Sequence, residues 1–481
     1  MGNLFDSFLR SWNRSWYFYL LFFSIAIFII YFIFYLNCGY GWDESVYLMH
    51  TDIFLGRLSD FNELAFRPII LSLVIVPFYL ISNNIFFLHC IMLLFFCFSM
   101  LILFLLFKKI FSLEVASIIS ALFFISPLVF YTAQFVLTDL FVFIFIIPGI
   151  YFSYLFYESK KNKFIVFASL FFALAFLTRF FCGSFILVIL LTIILHFKFD
   201  RESVKITCYR LILFFISFLI FVSPYFIFVK LKFGSILHTF VSGKLLVSAY
   251  NVPWHNYLVY LAGLWPAFLF LFICGLYFLY KSGIFTNFKK FNNSSIEKFI
   301  CIFILLFVFQ FIYLSITPHK EPRYTIPLAL TLSFICGYGL YQLLIYLKTV
   351  LKNKIILLKK CFHVFFCIML IGLMVVFVFY IIHPVNRLNL DMEPINYLKN
   401  YDFNGKLYVN SDVPQYFYLF DKEVVNIYYY YINNLDYVSQ FDESGIFVYN
   451  TNSQMDLNNL AVELIPIKEL FPYVIYEVNL K

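Results

Sequence analysis

A chain of 481 residues that is 63% hydrophobic and only 12% charged is not a soluble globular domain, since such domains run at about 45–50% apolar and about 25% charged. Its net charge of +8 is no nucleic-acid signature, because most of the basic residues sit in short clusters between apolar runs, where they act as topology signals. The ten cysteines are scattered singly, mostly inside those runs, so neither a disulfide framework nor a Cys/His metal site is indicated.

The first apolar run, Trp16 to Leu36, is too long for the core of a cleavable signal, and no small-residue cleavage site follows it. It is expected to remain as a membrane anchor. Further runs of span length recur near 85–107, 112–130, 138–157, 164–180, 183–197, 211–230, 257–280, 298–316, 324–347 and 361–382. The expected fold is a polytopic α-helical membrane protein of about 11 transmembrane helices. Clusters at Arg10 and Arg14, Lys108-Lys109, Lys160 to Lys163, Lys198 to Arg210, Lys281 to Lys298 and Lys348 to Lys360 hold 20 of the 34 Lys and Arg. The positive-inside rule makes these cytoplasmic, together with the N-terminus. That leaves 37–67, 131–137, 180–182, 231–256, 317–323 and the tail outside.

Parity then requires the run 68–82 not to cross. Bracketed by Pro68 and Pro77, it makes a helix of only about 22 Å against a hydrocarbon core of roughly 30 Å, and is expected to lie at the outer interface or to re-enter. In the first outer loop, 37–67, spacing of Val46, Met49, Ile53 and Phe54 predicts an amphipathic helix from about Ser45 to Gly56, lying along the membrane surface. The division expected is a transmembrane domain, 1–383, and a small extracytoplasmic α/β domain, 384–481. In the latter, β-rich runs at 406–410, 424–429, 445–449 and 473–478 alternate with turn residues and with helical stretches at 394–400 and 456–464.

Polar residues of note collect on the outer side. Asp43-Glu44 follows the first span by seven residues; one reading is an N-cap, the other a base, and a capped carboxylate can be both. His319-Lys320-Glu321-Pro322-Arg323-Tyr324 fills a short outer loop against hydrocarbon. It is either an ordinary charged turn or a cradle for phosphate, of the kind Lys and Arg form. Asp139 and Arg179 stand at outer ends of spans, where ionisable groups need partners. They can form one structural ion pair, with Arg57 and Arg67 as alternative partners for Asp139. His89, His196 and His363 sit singly in apolar context and read as packing residues; His238 and His255, in the long outer loop, are weak candidates for acceptor contact.

No glycine-rich phosphate loop appears, and no cytoplasmic loop is long enough for a nucleotide-binding domain. A carboxylate and a cationic cradle at the outer interface suit a substrate with its apolar tail in the bilayer and its phosphate at the surface. A polyprenyl-phosphate sugar is such a substrate. Its transfer needs a base for the acceptor hydroxyl and charge stabilisation for the departing phosphate. Asp43 would be the base, with Lys320 and Arg323 as cradle and His319 as a further phosphate donor.

Over residues 16–385 the order of motifs resembles the GT-C superfamily of membrane glycosyltransferases, in particular family 39, the protein O-mannosyltransferase-like and aminoarabinose-transferase-like enzymes. The likeness lies in Asp43-Glu44-x-x-Tyr47, Arg67-Pro68, Ser126-Pro127 followed by Leu137-Thr138-Asp139, and Leu177-Thr178-Arg179. The segment His319 to Tyr324 is similar to the His-Lys-Glu-x-Arg-Phe/Tyr signature of family 22 mannosyltransferases. The resemblance implies Asp43 as catalytic base and Asp139 as a second acidic position holding the first loop. It further implies a polyprenyl-phosphate-linked hexose or pentose, often mannose, as donor, and inverting single displacement. Glu44 is grouped with Asp43 as catalytic, and Tyr47, Arg67, Asp139, Arg179 and Glu321 as supporting. The acceptor would be a glycan, lipid or protein, and the location a multi-pass position in the membrane lipid, the plasma membrane first. A divalent cation at Asp43/Glu44 stays open, since two ligands are too few to define a site. A lipid-linked-glycan flippase or transporter, and a membrane scaffold displaying the tail, are the competing readings.

Overall fold

The computed structural model describes residues 41–57, 67–124, 126, 129, 132–133, 135–194, 201–248, 252–257, 266–281, 295–317, 320–350, 392–410, 424–426, 440–451, 457, 462–470 and 472–480. The expected spans at 16–36 and 361–382 lie outside these residues, as does His319. The chain divides into two compact units. One comprises 1–33, 61–71 and 90–380, and the other 34–60, 72–89 and 381–481.

The larger unit is helical. Among the described residues five helices are long and apolar enough to cross a membrane. They are α3 (Ile85–Ile110), α5 (Thr138–Ser159), α8 (Glu202–Phe233, beginning at Arg201 by backbone geometry), α11 (Phe299–Ile316, from Ser295) and α12 (Pro322–Leu343, continuing to Val350). Shorter apolar helices stand between them: α4 (Leu113–Phe124), α6 (Lys163–Thr178), α7 (Ile186–Ile194) and α10 (Pro266–Lys281), with α9 (His238–Ser248) after α8. Leu94, Phe98, Leu101 and Leu105 on α3, and Ile212, Phe215, Ile216, Leu219, Ile220 and Ile227 on α8, are exposed. Apolar faces of that length are what a bilayer covers.

Lipid is as apolar as these side chains, so close packing rather than water exclusion holds the helices together. Glycine permits the closest approach: a Cβ on Gly339 of α12 would lie 2.5 Å from the Gly275 nitrogen of α10. Helix α8 extends well beyond the expected span of 211–230. At 33 residues it is roughly 50 Å long, so Lys205, Arg210, Lys230 and Lys232 ride on the helix rather than in loops.

The second unit contains α1 (Trp42–Phe54), α2 (Ile70–Ile81) from Ser72 onward and the first turn of α3. Helix α1 starts earlier than its apolar spacing predicts. Gly41, with extended backbone, is the N-cap, and its N–H donates to Glu44 Oε2 at 2.7 Å. The side chain that reaches back is the one at the third helical position, as in half of a capping box. Asp43 therefore stands inside the first turn and is not the cap. The helix closes at Gly56, whose φ of +68° is left-handed.

Every residue from Glu44 to Thr51 is buried, so α1 is enclosed by other parts of the protein on all sides over that stretch. Its polar side finds internal partners: Thr51 Oγ1 donates to Tyr47 O and Ser72 O, and Ser72 Oγ donates to Tyr47 O. The Tyr79 hydroxyl donates to Asp52 at 2.9 Å, and Arg57 pairs with Asp52 rather than with Asp139. The 12 residues of α2 span only about 18 Å.

The same unit contains a five-stranded mixed sheet, β1 (Lys406–Val409), β2 (Val424–Asn426), β3 (Gly445–Asn450), β4 (Val462–Leu470) and β5 (Tyr473–Leu480), in the order β2-β1-β3-β5-β4. Strand β1 runs parallel to β2 and β3, while β5 is antiparallel to β3 and β4. Alternation along the strands sends Leu407, Val409, Ile446, Val448 and Ile475 to one face, against Met392, Ile395 and Leu398 of a helix over 392–399. Tyr408, Phe447, Tyr449 and Val478 build the other face. The expectation of a helical stretch at 456–464 is corrected: Val462 to Leu464 open β4 and pair with β5. Pairing with a distant strand overrides the local preference of that stretch.

Candidate active site

Two constellations emerge, one in each unit. In the first, Glu44 is 1% exposed and His89 on α3 is 4% exposed. His89 Nε2 lies 2.7 Å from Glu44 Oε1. With the Gly41 N–H on Oε2, each oxygen of Glu44 has a hydrogen-bonding partner, which is what a buried carboxyl group requires. Asp43, one residue earlier, is partly exposed. Tyr47 is buried one turn on, edge to face with His50.

A divalent ion held by both carboxylates would have to displace one of the two donors on Glu44. Among the described residues no group of three or more His, Cys, Asp or Glu is placed to hold a metal.

In the second constellation, Asp139 in the first turn of α5 pairs with Arg179 at the end of α6. Their side chains are 3% and 15% exposed. The Arg179 guanidinium lies 5.2 Å from the centre of the Tyr324 ring, and Arg323 lies 5.8 Å from the same ring. Arg323 Nε donates to Glu321 Oε2 at 2.5 Å. Lys320 is buried; its ammonium donates to Val252 O at 2.9 Å and to Thr317 O, and stands 5.8 Å from the Tyr257 ring. Burial pushes the Lys320 ammonium below the usual lysine range. Glu321, Arg323 and Tyr324 are thus brought together with Asp139 and Arg179, whereas Lys320 turns to Val252, Thr317 and Tyr257. Arg67 lies just ahead of α2, half-buried.

Three participants escape a reading of the sequence. His89 is a single histidine in an apolar run, and only the fold brings it to Glu44, 45 positions away. Tyr324 carries the contact between Arg179 and Arg323. The Val252 carbonyl, like any backbone acceptor, has no signature in residue type. A signal for His89 does exist: an imidazole within a span-length apolar run calls for a polar partner.

Residues 67–228 match the family described as dolichyl-phosphate-mannose-protein mannosyltransferase. That segment contains Arg67, Asp139 and Arg179 but neither Asp43 nor the Lys320–Arg323 loop. ArnT from Cupriavidus metallidurans in the apo state has a similar structure, with a TM-score of 0.63 over 97% of this chain and 98% of that one at 14% identity. ArnT of the same organism bound to undecaprenyl phosphate gives 0.63 over 96% and 98%, also at 14% identity. The Archaeoglobus fulgidus oligosaccharyltransferase, tethered by a disulfide to an acceptor peptide with the NVT sequon, aligns over 90% of this chain and 69% of that one. Its TM-score is 0.52 at 12% identity. No curated protein matches by sequence. At these identities the structural likenesses establish a common fold.

Proposed function

We propose that this chain, a membrane protein of the GT-C glycosyltransferase superfamily, transfers one sugar from a polyprenyl-phosphate-linked donor to an acceptor hydroxyl, with Asp43 as base. The observation that carries the proposal is the contrast between two adjacent carboxylates. Glu44 is buried with a hydrogen-bonding partner on each oxygen, whereas Asp43 in the same turn is partly exposed. A base must reach the proton that it takes, and Asp43 is the one of the pair placed to do so.

The step is a single displacement. The acceptor hydroxyl gives its proton to the Asp43 carboxylate as its oxygen bonds to the anomeric carbon. The bond from that carbon to the phosphate oxygen breaks, and polyprenyl phosphate leaves with the electron pair. Configuration at the anomeric carbon inverts. Arg323 exchanges Glu321 for phosphate oxygens, and Lys320, two of whose N–H groups bond Val252 O and Thr317 O, gives its third to the phosphate, so that charge developing on the leaving group is met by fixed donors. His319 belongs to the same loop and adds a donor to that cradle. Asp139, Arg179 and Tyr324 hold the loop, with Glu321 masking Arg323 between turnovers.

The undecaprenyl phosphate bound to ArnT supports a polyprenyl-phosphate donor here, and the mannose in the matched family's description supports a hexose or pentose with mannose as the first candidate. The acceptor is a lipid, a glycan or a protein. The site faces the extracytoplasmic side of the plasma membrane, with the N-terminus cytoplasmic and residues 384–481 forming an extracytoplasmic α/β domain. The test is mass spectrometry of the host's lipid-linked glycans, surface glycolipids and glycoproteins with and without the protein. One sugar missing from one acceptor class is expected; identical profiles would reject the proposal.

A further inference from the structure

We infer that His89 is a positioning residue for the base, acting through Glu44. The inference rests on the reading of Asp43 proposed above. The first turn of helix α1 carries Glu44, which bonds back to the N–H of the N-cap Gly41 and across to His89 on α3, each at 2.7 Å. The first bond is local, since Gly41 caps the helix that Glu44 belongs to. The second ties the helix start to α3, since His89 is rooted in that 26-residue helix.

Asp43 and Glu44 are consecutive, so they are offset by only about 1.5 Å along the helix axis. Whatever fixes Glu44 fixes the backbone from which Asp43 projects. The His89 ring is itself enclosed and 4% exposed, so it has little freedom to follow a moving carboxylate. With Glu44 ionised, Nε2 carries the hydrogen, and the imidazole donates. The two bonds also replace the water that the Glu44 carboxyl group, 1% exposed, has lost. Glu44 is thereby assigned to alignment and Asp43 to chemistry.

A merely structural pair would lower stability without a selective effect on turnover, so the test separates the two. In the full-length protein in nanodiscs, His89→Leu removes the donor at similar size, and His89→Gln offers an amide donor in its place. His89→Leu is expected to lower kcat by about 10- to 100-fold, the scale of a misplacement near 1 Å, with donor KM within about twofold of wild type. His89→Gln is expected to recover a measurable part of that loss. Combining His89→Leu with Glu44→Gln should cost no more than the worse single variant, because both cut the same link.

Hydrogen–deuterium exchange of the peptide over 41–48 is expected to quicken in His89→Leu, a readout that needs no activity. Wild-type kcat in His89→Leu, or losses that multiply in the double variant, would overturn the inference. If the wild-type protein transferred no sugar, the function proposal would fail, and the exchange measurement would still decide whether His89 anchors α1: unchanged exchange would reject it.

Discussion

Removing one member of the Asp139–Arg179 pair should destabilise the protein far more than removing both. The side chains are 3% and 15% exposed, so Asp139→Leu leaves a guanidinium enclosed without its counter-ion. Breaking a buried pair in this way costs about 3–5 kcal/mol, whereas replacing both partners by apolar residues is often close to neutral. The Tyr324 ring, 5.2 Å from Arg179, offers some compensation, but a cation–π contact contributes only about 0.5–2 kcal/mol. The net loss in Asp139→Leu should therefore remain above about 1 kcal/mol and reach about 4 kcal/mol. The assay is the fraction of detergent-solubilised protein that stays monodisperse by size exclusion after heating through a temperature series. Asp139→Leu should lower the midpoint by several degrees, and Asp139→Leu combined with Arg179→Met should regain most of it. Equal midpoints for the single and double variants, or a wild-type midpoint in Asp139→Leu, would refute the reasoning.

Arg323→Ala and Lys320→Ala should each raise donor KM, by about tenfold for a charge-assisted contact of roughly 1.4 kcal/mol; a donor titration with unchanged KM would remove these residues from the phosphate cradle. In the sheet, Lys406 donates to both oxygens of Asp442 and holds that carboxyl below the usual carboxylate range. A depressed carboxyl stabilises the fold above its unfolded pKa of about 3.9 and loses that contribution as pH falls through the folded value. Lys406→Met should thus lower the thermal midpoint at pH 7 and converge with wild type below about pH 4, which thermal scans across that range would check.

Much of the architecture was legible because it rests on patterns within one segment. Apolar runs of span length announced α3, α5, α8, α11 and α12, and alternating β-branched residues announced strands at 406, 445 and 473. The reading failed where a distant partner decides the outcome. Helix α1 was expected to start at about Ser45 from its apolar spacing, yet it starts at Trp42, with Glu44 bonded back to Gly41 and across to His89 on α3. Strand β4 replaced part of an expected helix because β5 pairs with it. In the site, Asp139 and Arg179 were legible as partners, being two ionisable residues at the same ends of neighbouring spans. Lys320 was legible as a cation of a short loop against hydrocarbon, but not its bonds to the carbonyls of residues 252 and 317, acceptors that no residue type reveals. Gly41 as cap and Glu44 as clamp became visible only once the helix start was fixed in space.

The central claim is that Asp43 takes the acceptor proton while Glu44 and His89 hold it in place. The most direct measurement is sugar transfer by the purified full-length protein from a synthetic polyprenyl-phosphate mannose, comparing wild type with Asp43→Asn. Loss of a general base should lower kcat by about 10²- to 10⁴-fold, with donor KM and thermal midpoint unchanged. Transfer at the wild-type rate by Asp43→Asn would contradict the account.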